Sequence, residues 1–309
     1  RSKILTTAAL LALEDGTVFH YNDDKEVLRE QIRKFDADRG VSEYEKFAGS
    51  LGEIYRVGFE LIDKPFSTWG DMLRVIPQMI KLRSDRSVYK FASKYFKDER
   101  LREAFSFHPL LIGGNPFTST SIYAMIHELE QKFGVWFAMG GTGALVKGLC
   151  DHFIDLGGEI YLGAEVEEIF VNRAGEAGGA RLKTGEFFQA DAVVCNSDIA
   201  WTYLNLIKPE FRRKYTDKKV KSMSYSMSLF VYYFGTDRKY ENMAHHEILM
   251  GPRYKGLLDE IFKKKTLAED FSLYLHRPTA TDQSLAPAGC DCWYVLSPVP
   301  HLESKTDWK

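Results

Sequence analysis

No apolar run in the chain approaches the ~18 residues that a membrane-spanning helix needs, so a helical span is excluded. Cysteine is sparse, with four residues in 309: Cys150, Cys195, Cys290 and Cys292. The pair Cys290-x-Cys292 is too tightly spaced for a zinc knuckle, no second pair or spaced histidine pair completes one, and His245-His246 stands as an isolated doublet. The reading is therefore no metal, and reduced, mostly buried thiols in a cytoplasmic protein. Gly-x-Ser-x-Gly is absent, as is any spacing that names a Ser-His-Asp or Cys-His pair. Charge of one sign is lacking too: the net charge is −2. Without a Lys/Arg run interleaved with aromatics, nucleic acid is not an expected partner. The opening Arg-Ser-Lys-Ile-Leu has neither an initiator Met nor a signal-peptide pattern, and Thr306-Asp-Trp-Lys309 has no cap. Both ends read as truncations.

The chain is rich in aromatic rings. They make up 14% of residues, including 21 Phe and 16 Tyr, enough for a large apolar pocket or for a large core. A hairpin is expected over 8–21 around Glu14-Asp15-Gly16, because the Asp-Gly step supplies the turn. From about 24 to 132 the pattern is helical. Tyr44, Phe47, Leu51, Ile54, Tyr55, Gly58, Phe59 and Ile62 recur on one face until Pro65 ends it. From Val135 the texture changes to α/β. Short strands are expected at 135–137, 159–162, 164–171 and 192–195, with a hairpin at 180–189 and a helix running to Leu156. Further strands follow at 224–235, 271–276 and 292–299. The expected division is 1–134, 135–201 and 202–309.

Three features bear on chemistry. Gly140-Gly141-Thr142-Gly143 follows a strand and opens a helix, a context that suits backbone N–H groups aimed at a phosphate. Val146 stands where the last glycine of G-x-G-x-x-G belongs, so close helix–strand packing is the competing use. Asp71 and Arg74 lie at i, i+3 on one helical face, as an exposed ion pair or as a pair turned to a cleft. Between Lys64 and Lys94 there are seven basic residues against two acids, beside Phe66, Trp69, Ile76, Met79 and Ile80. A basic excess next to large apolar groups suits an interfacial membrane contact, and a basic solvated face explains it equally well.

Several unbroken blocks resemble the bacterial phytoene desaturase family. They are Ala104–Phe117 with its Phe-His-Pro-Leu-Leu-Ile-Gly-Gly-Asn-Pro run, Ser121-Ile-Tyr123, Gly134-Val-Trp-Phe137 with Gly140–Leu145, Ser228–Gly235, Leu267–His276 and Asp282–Pro287. The resemblance implies a flavin amine-oxidase-like fold, α/β overall: a discontinuous Rossmann-type FAD domain with an inserted substrate domain. The family's N-terminal glycine fingerprint and C-terminal flavin motif have no counterpart among these residues. The resemblance further implies FAD near Gly140, Gly141, Val166 and Asn196, with Asp71 and Arg74 towards the flavin ring as base and positioning partner. The aromatics of the matching blocks, Phe105, Phe107, Trp136, Phe230 and Tyr232, are expected to wall a carotenoid hydrocarbon substrate. Such a substrate, phytoene or a relative, does not leave a bilayer for water at ~0.8 kcal/mol per CH₂. Peripheral docking on the inner face of the cell membrane is therefore expected, through Phe66, Trp69, Ile76, Met79 and Ile80. A carotenoid cis–trans isomerase and a non-enzymatic apolar-ligand binder stay open as alternatives.

Overall fold

The computed structural model describes residues 2–4, 9–61, 68–82 and 84–308. In chain order the strands are β1 (Ser2–Ile4), β2 (Ala9–Ala12), β3 (Val18–Tyr21), β4 (Trp136–Ala138), β5 (Val166–Val171), β6 (Ala177–Leu182), β7 (Phe187–Gln189), β8 (Ser228–Thr236), β9 (His246–Leu249), β10 (Leu273–His276) and β11 (Asp291–Val299). The helices that matter here are α1 (Lys25–Phe35), α2 (Gly40–Leu61), α3 (Trp69–Lys81), α4 (Val88–Tyr95), α5 (Glu99–Ala104), α6 (Met125–Phe133) and α7 (Gly141–Asp155).

Two compact units divide the chain, residues 1–146 with 226–309, and residues 147–225. The first unit is organised by a six-stranded mixed sheet in the order β3-β2-β9-β10-β11-β8. Its local seed is the expected hairpin: Gly16 sits at φ +78°, where a side chain is strained, and Leu11 pairs with Phe19. Strand β2 then pairs in parallel with β9, while β9, β10, β11 and β8 follow as antiparallel neighbours.

Helices α1, α2, α4, α5 and α6 surround a core of Leu11, Phe19, Tyr21, Tyr44, Phe47, Leu51, Phe96 and Phe105. The stripe read for α2 is buried over its first half, through Tyr44, Phe47, Leu51 and Ile54, while Phe59 is exposed and Ile62 and Pro65 lie outside the described residues. Gly58 lets α2 approach α6, because a Cβ there would meet Met125 Sδ at 2.9 Å. At the centre of this core the His127 ring joins two phenols. Tyr21 hydrogen-bonds Nδ1, and Tyr44 hydrogen-bonds Nε2 at 3.1 Å. Strands β1 and β4 pair antiparallel as a separate two-stranded sheet.

The second unit contains the antiparallel sheet β5-β6-β7. The apolar stretches 159–162 and 192–195 form no ladder among the described residues, contrary to the sequence expectation. A strand exists only where a partner supplies hydrogen bonds, and Val194 is left 96% exposed. No residue of α7 is buried, although Leu149, Phe153 and Ile154 are apolar.

The thiols also depart from expectation. Cys195 is exposed and Cys150, Cys290 and Cys292 are half-buried, so none is a core residue. Their positions on exposed α7, on the unpaired 192–195 stretch and around the start of β11 account for this.

Candidate functional site

Residues directly opposite each other on paired strands share one face of a sheet. Register therefore builds two adjacent rows across the first unit: Ile248, Tyr274, Leu296 and Val231 in one, and His246, His276, Tyr294 and Tyr233 in the other. Leu11, Phe19 and Tyr21 lie on this same face through the β9–β2–β3 register, so at that end of the sheet it is the face turned to the core; on β8, Leu229, Val231 and Tyr233 are themselves exposed.

Over this face the core does not close completely. A cavity of about 280 Å³ is walled by Phe107, Leu110, Leu229, Ile248, Tyr274 and Leu296, among others, and no charged side chain lines it. A second, of about 200 Å³, shares Phe107, Leu111, Ile248 and Tyr274 with the first and adds Tyr21, Glu130 and His246. A third, of about 510 Å³, is lined by Phe137, Gly141, Thr142, Tyr233, His276 and Tyr294, with further apolar neighbours. These are surfaces suited to a molecule with few polar handles. Burial holds the Tyr274 phenol protonated, far above its usual range. Burial also depresses His246 and His276, each to about 4, leaving both rings neutral at pH 7.

The residues singled out from the sequence fall at varied places. Phe107 lines two of the cavities. Phe105 is fully buried, stacked on Phe96 with ring centroids 4.8 Å apart, and lies in the packed core rather than on a cavity wall. Trp136 is exposed on β4, where its indole N–H donates to the Phe133 carbonyl at 2.6 Å. On β8, Phe230 and Tyr232 point to the pleat opposite Leu229, Val231 and Tyr233 and are exposed.

Asp71 occupies the third position of α3, where it completes a capping box: Thr68 Oγ1 accepts from the Asp71 N–H at 3.2 Å, and the Asp71 carboxylate accepts from the Thr68 N–H at 3.0 Å. Arg74 is exposed and its ion pair with Asp71 is long, at 4.0 Å, a geometry that contributes well under ~1 kcal/mol. Trp69 is 87% exposed, Ile76 and Ile80 are exposed beside Leu73, and Met79 is half-buried. Phe66 lies outside the described residues. Among the described residues, α3 lines none of the three cavities.

The glycine-rich turn fits a nucleotide in part. Gly141, at φ +78°, and Thr142 face the 510 Å³ cavity at the N-terminus of α7, where the helix dipole favours an anion. The Gly140 N–H is already committed, donating to the Asp282 carboxylate at 2.6 Å. Hydrogen bonds from Ser284 and Gly140 hold that carboxyl below its ordinary range, so its charge opposes a phosphate at Gly140 itself. Val166 begins β5 and Asn196 follows the unpaired 192–195 stretch; both are exposed residues of the second unit.

Two features of this face escaped the sequence reading. Strand β9 is one, carrying Ile248 into two cavities. The other is the gathering of His276 with the His245-His246 doublet, which only the β9–β10 register brings about.

Residues 2–295 match the family model for flavin containing amine oxidoreductases. The chain is 48% identical over 304 residues to a lycopene-forming phytoene desaturase of Pseudescherichia vulneris, covering 96% of this chain and 61% of that protein. It is 44% identical to a neurosporene-forming phytoene desaturase of Rhodobacter capsulatus, covering 93% and 56%. A 4,4'-diapophytoene desaturase of Methylomonas is 32% identical, with 97% and 58% covered. The chain thus spans about three fifths of the length of these curated relatives. Among solved structures, a Pyrococcus furiosus protein superposes with a TM-score of 0.61 at 16% identity, over 96% of this chain and 61% of that one. Putrescine oxidase bound to putrescine does so at 0.54 and 8%, over 97% and 59%. These two likenesses establish the fold alone.

Proposed function

The chain belongs to the flavin containing amine oxidoreductase family, and from that premise we propose that it serves FAD-dependent desaturation of phytoene or a related acyclic carotenoid. The observation that carries this reading is the uncharged, mainly aromatic and aliphatic cavity above β9, β10 and β11, which offers a hydrocarbon apolar walls. The names of relatives at 48% and 44% identity point the same way.

Bound FAD supplies a hydride acceptor: an allylic C–H gives up its hydrogen with both electrons, the neighbouring carbon loses a proton, and a carbon–carbon double bond forms. The chain's own contribution is to orient the hydrocarbon and keep water out. Gly141 and Thr142 at the N-terminus of α7 are the residues here best suited to the cofactor's phosphates. The assignment of Asp71 as proton acceptor, or as counter-charge to a developing allylic cation, with Arg74 as its positioning residue, rests on the family resemblance and not on the cavities, since α3 lines none of the three. Asp71→Asn keeps an acceptor oxygen for the helix cap and removes only the charge. Desaturation is expected to fall by about 10²-fold or more, with hydrocarbon uptake unchanged; wild-type rates in this variant end the assignment.

Because the family's two flavin motifs have no counterpart in this chain, the function is tested by adding a protein that carries this chain together with those motifs, and FAD, to phytoene-loaded liposomes. A lengthened polyene chromophore, read as new visible absorbance bands, is the expected result. Shifts within an unchanged chromophore length indicate an isomerase, and an unchanged spectrum with retained hydrocarbon indicates a binder without catalysis.

Access to such a substrate implies contact with a bilayer, which we assign to α3 at the inner face of the cell membrane. Trp69, Leu73, Ile76 and Ile80 leave one side of α3 apolar and exposed, and Arg74 and Lys81 lie on the same helix. No helix among the described residues is long and apolar enough to cross a membrane. Each large side chain withdrawn from water contributes ~1.5–3 kcal/mol. Trp69→Glu combined with Ile80→Glu is therefore expected to weaken co-sedimentation with anionic liposomes at least tenfold. Equal sedimentation of variant and wild type places the contact elsewhere.

A further inference from the structure

We propose that His245, His246 and His276 form a binding site for one divalent first-row metal ion, with zinc the best match to a set of imidazole donors. The inference is independent of the proposed reaction and rests on how two strands bring the three rings together.

His246 and His276 are direct partners in the β9–β10 register, so their side chains rise from the same face side by side. His245 immediately precedes β9, and its backbone is fixed by the Arg277 N–H, which donates to its carbonyl at 2.9 Å. One ring nitrogen from each of the three residues lies within 4.8 Å of the others. His246 Nδ1 and His276 Nδ1 are 3.3 Å apart, within hydrogen-bond distance of each other. Two nitrogens bound at ~2.05 Å to a tetrahedral ion stand about 3.3–3.4 Å apart, so one edge of the coordination polyhedron already has its proper length.

His245 supplies a second, independent sign. It is only 6% exposed, and its Nε2 is buried without a hydrogen-bond partner. Its other nitrogen, Nδ1, is 2.6 Å from Thr281 Oγ1. With the Nδ1–H donating to that hydroxyl, Nε2 is left with a bare lone pair. A metal-bound histidine uses its second nitrogen in this way, which fixes both tautomer and ring orientation. Leaving a buried acceptor unmet costs ~1–3 kcal/mol, and a cation removes that cost.

The remaining contacts agree. Tyr274 places its hydroxyl 2.6 Å from His246 Nδ1 and 3.2 Å from His276 Nδ1, so the phenol oxygen, or a water molecule, is at hand as a fourth ligand. Burial keeps all three rings in the unprotonated form near neutral pH, the form that binds metal. Access is available, since His276 lines the 510 Å³ cavity and His246 the 200 Å³ cavity.

The experiment is titration of the purified chain with Co²⁺, followed by competition with Zn²⁺. One equivalent of Co²⁺ giving the intense visible bands of tetrahedral coordination, and displaced by Zn²⁺, is the expected result. His246→Ala and His276→Ala should each lose those bands. Thr281→Val, which leaves all three rings in place, should weaken zinc binding by about 10–100-fold. Thermal melts identify any alanine variant that fails to fold, in which case the wild-type spectrum and Thr281→Val decide. Pale octahedral spectra in the wild type, or identical zinc affinity in wild type and Thr281→Val, overturn the proposal.

Discussion

Leu296→Trp is expected to lower both hydrocarbon uptake and desaturation by at least about tenfold, or ~1.4 kcal/mol. Leu296 is half-buried on β11 and stands between Tyr274 and Val231 in the row that walls the 280 Å³ cavity. An indole in place of an isobutyl group pushes a larger, rigid ring into that space. Overfilling costs ~1–3 kcal/mol of fold stability, less than a domain of this size can lose and remain folded. A matched control comes from the pleat. Val295 is the neighbouring residue on the opposite face, paired with Tyr232 and Leu275, so Val295→Phe adds bulk to the same strand outside the cavity. Uptake should survive Val295→Phe and not Leu296→Trp. Equal losses in the two variants mean that the strand, and not the cavity, is what matters.

His127→Leu is expected to destabilise the protein by about 2–4 kcal/mol at pH 8, because it strands two buried phenols. His127 is fully enclosed, bridging Tyr21 and Tyr44, with Phe47 and Phe105 packed on its ring. Desolvation, aided by nearby His108 and Lys25, depresses its pKa to about 3. In the unfolded chain the same ring protonates near its ordinary value of 6.5. Between those limits the unfolded state holds the extra proton. The stability associated with neutral His127 is complete above pH 6.5 and is lost as the pH falls towards 3, at up to roughly 1.4 kcal/mol per pH unit. The leucine variant has no proton to bind at this position, so the gap between wild type and variant should narrow from pH 8 to pH 5. Denaturant midpoints that run parallel across that range contradict the assignment.

What the sequence made legible was local. The Asp15-Gly16 turn, the stripe of α2 and the antiparallel pair β6–β7 are each specified by neighbours within a few residues. Strand β9 was illegible for the opposite reason. It has four residues, begins His-Glu, and pairs in parallel with β2, more than two hundred positions earlier. The histidine cluster was hidden with it, since His276 meets the His245-His246 doublet only through that strand. Aromatic content was readable, but the pleat that each ring occupies was not. Alternation along β8 turns Phe230 and Tyr232 away from the face that holds Leu229 and Val231. Phe105 and Phe107 are two residues apart, yet the first is sealed against Phe96 and the second borders a cavity. On α3 the two-sided pattern was plain, while the exposure of its apolar side depends on what packs there. The stretches 159–162 and 192–195 make the same point from the other direction, because apolar composition proposes a strand and only a partner completes it.

The central claim, that a hydrocarbon lies along the inner face of β8–β11, is tested most directly by photo-crosslinking. A C40 isoprenoid carrying a diazirine is loaded from liposomes, irradiated, and the labelled peptides are mapped. The account expects label concentrated on Met227, Leu229, Ile248, Met250, Tyr274 and Leu296, and suppressed by Leu296→Trp. Label confined to α3, or spread over the opposite pleat at Phe230, Tyr232 and Val295, contradicts it.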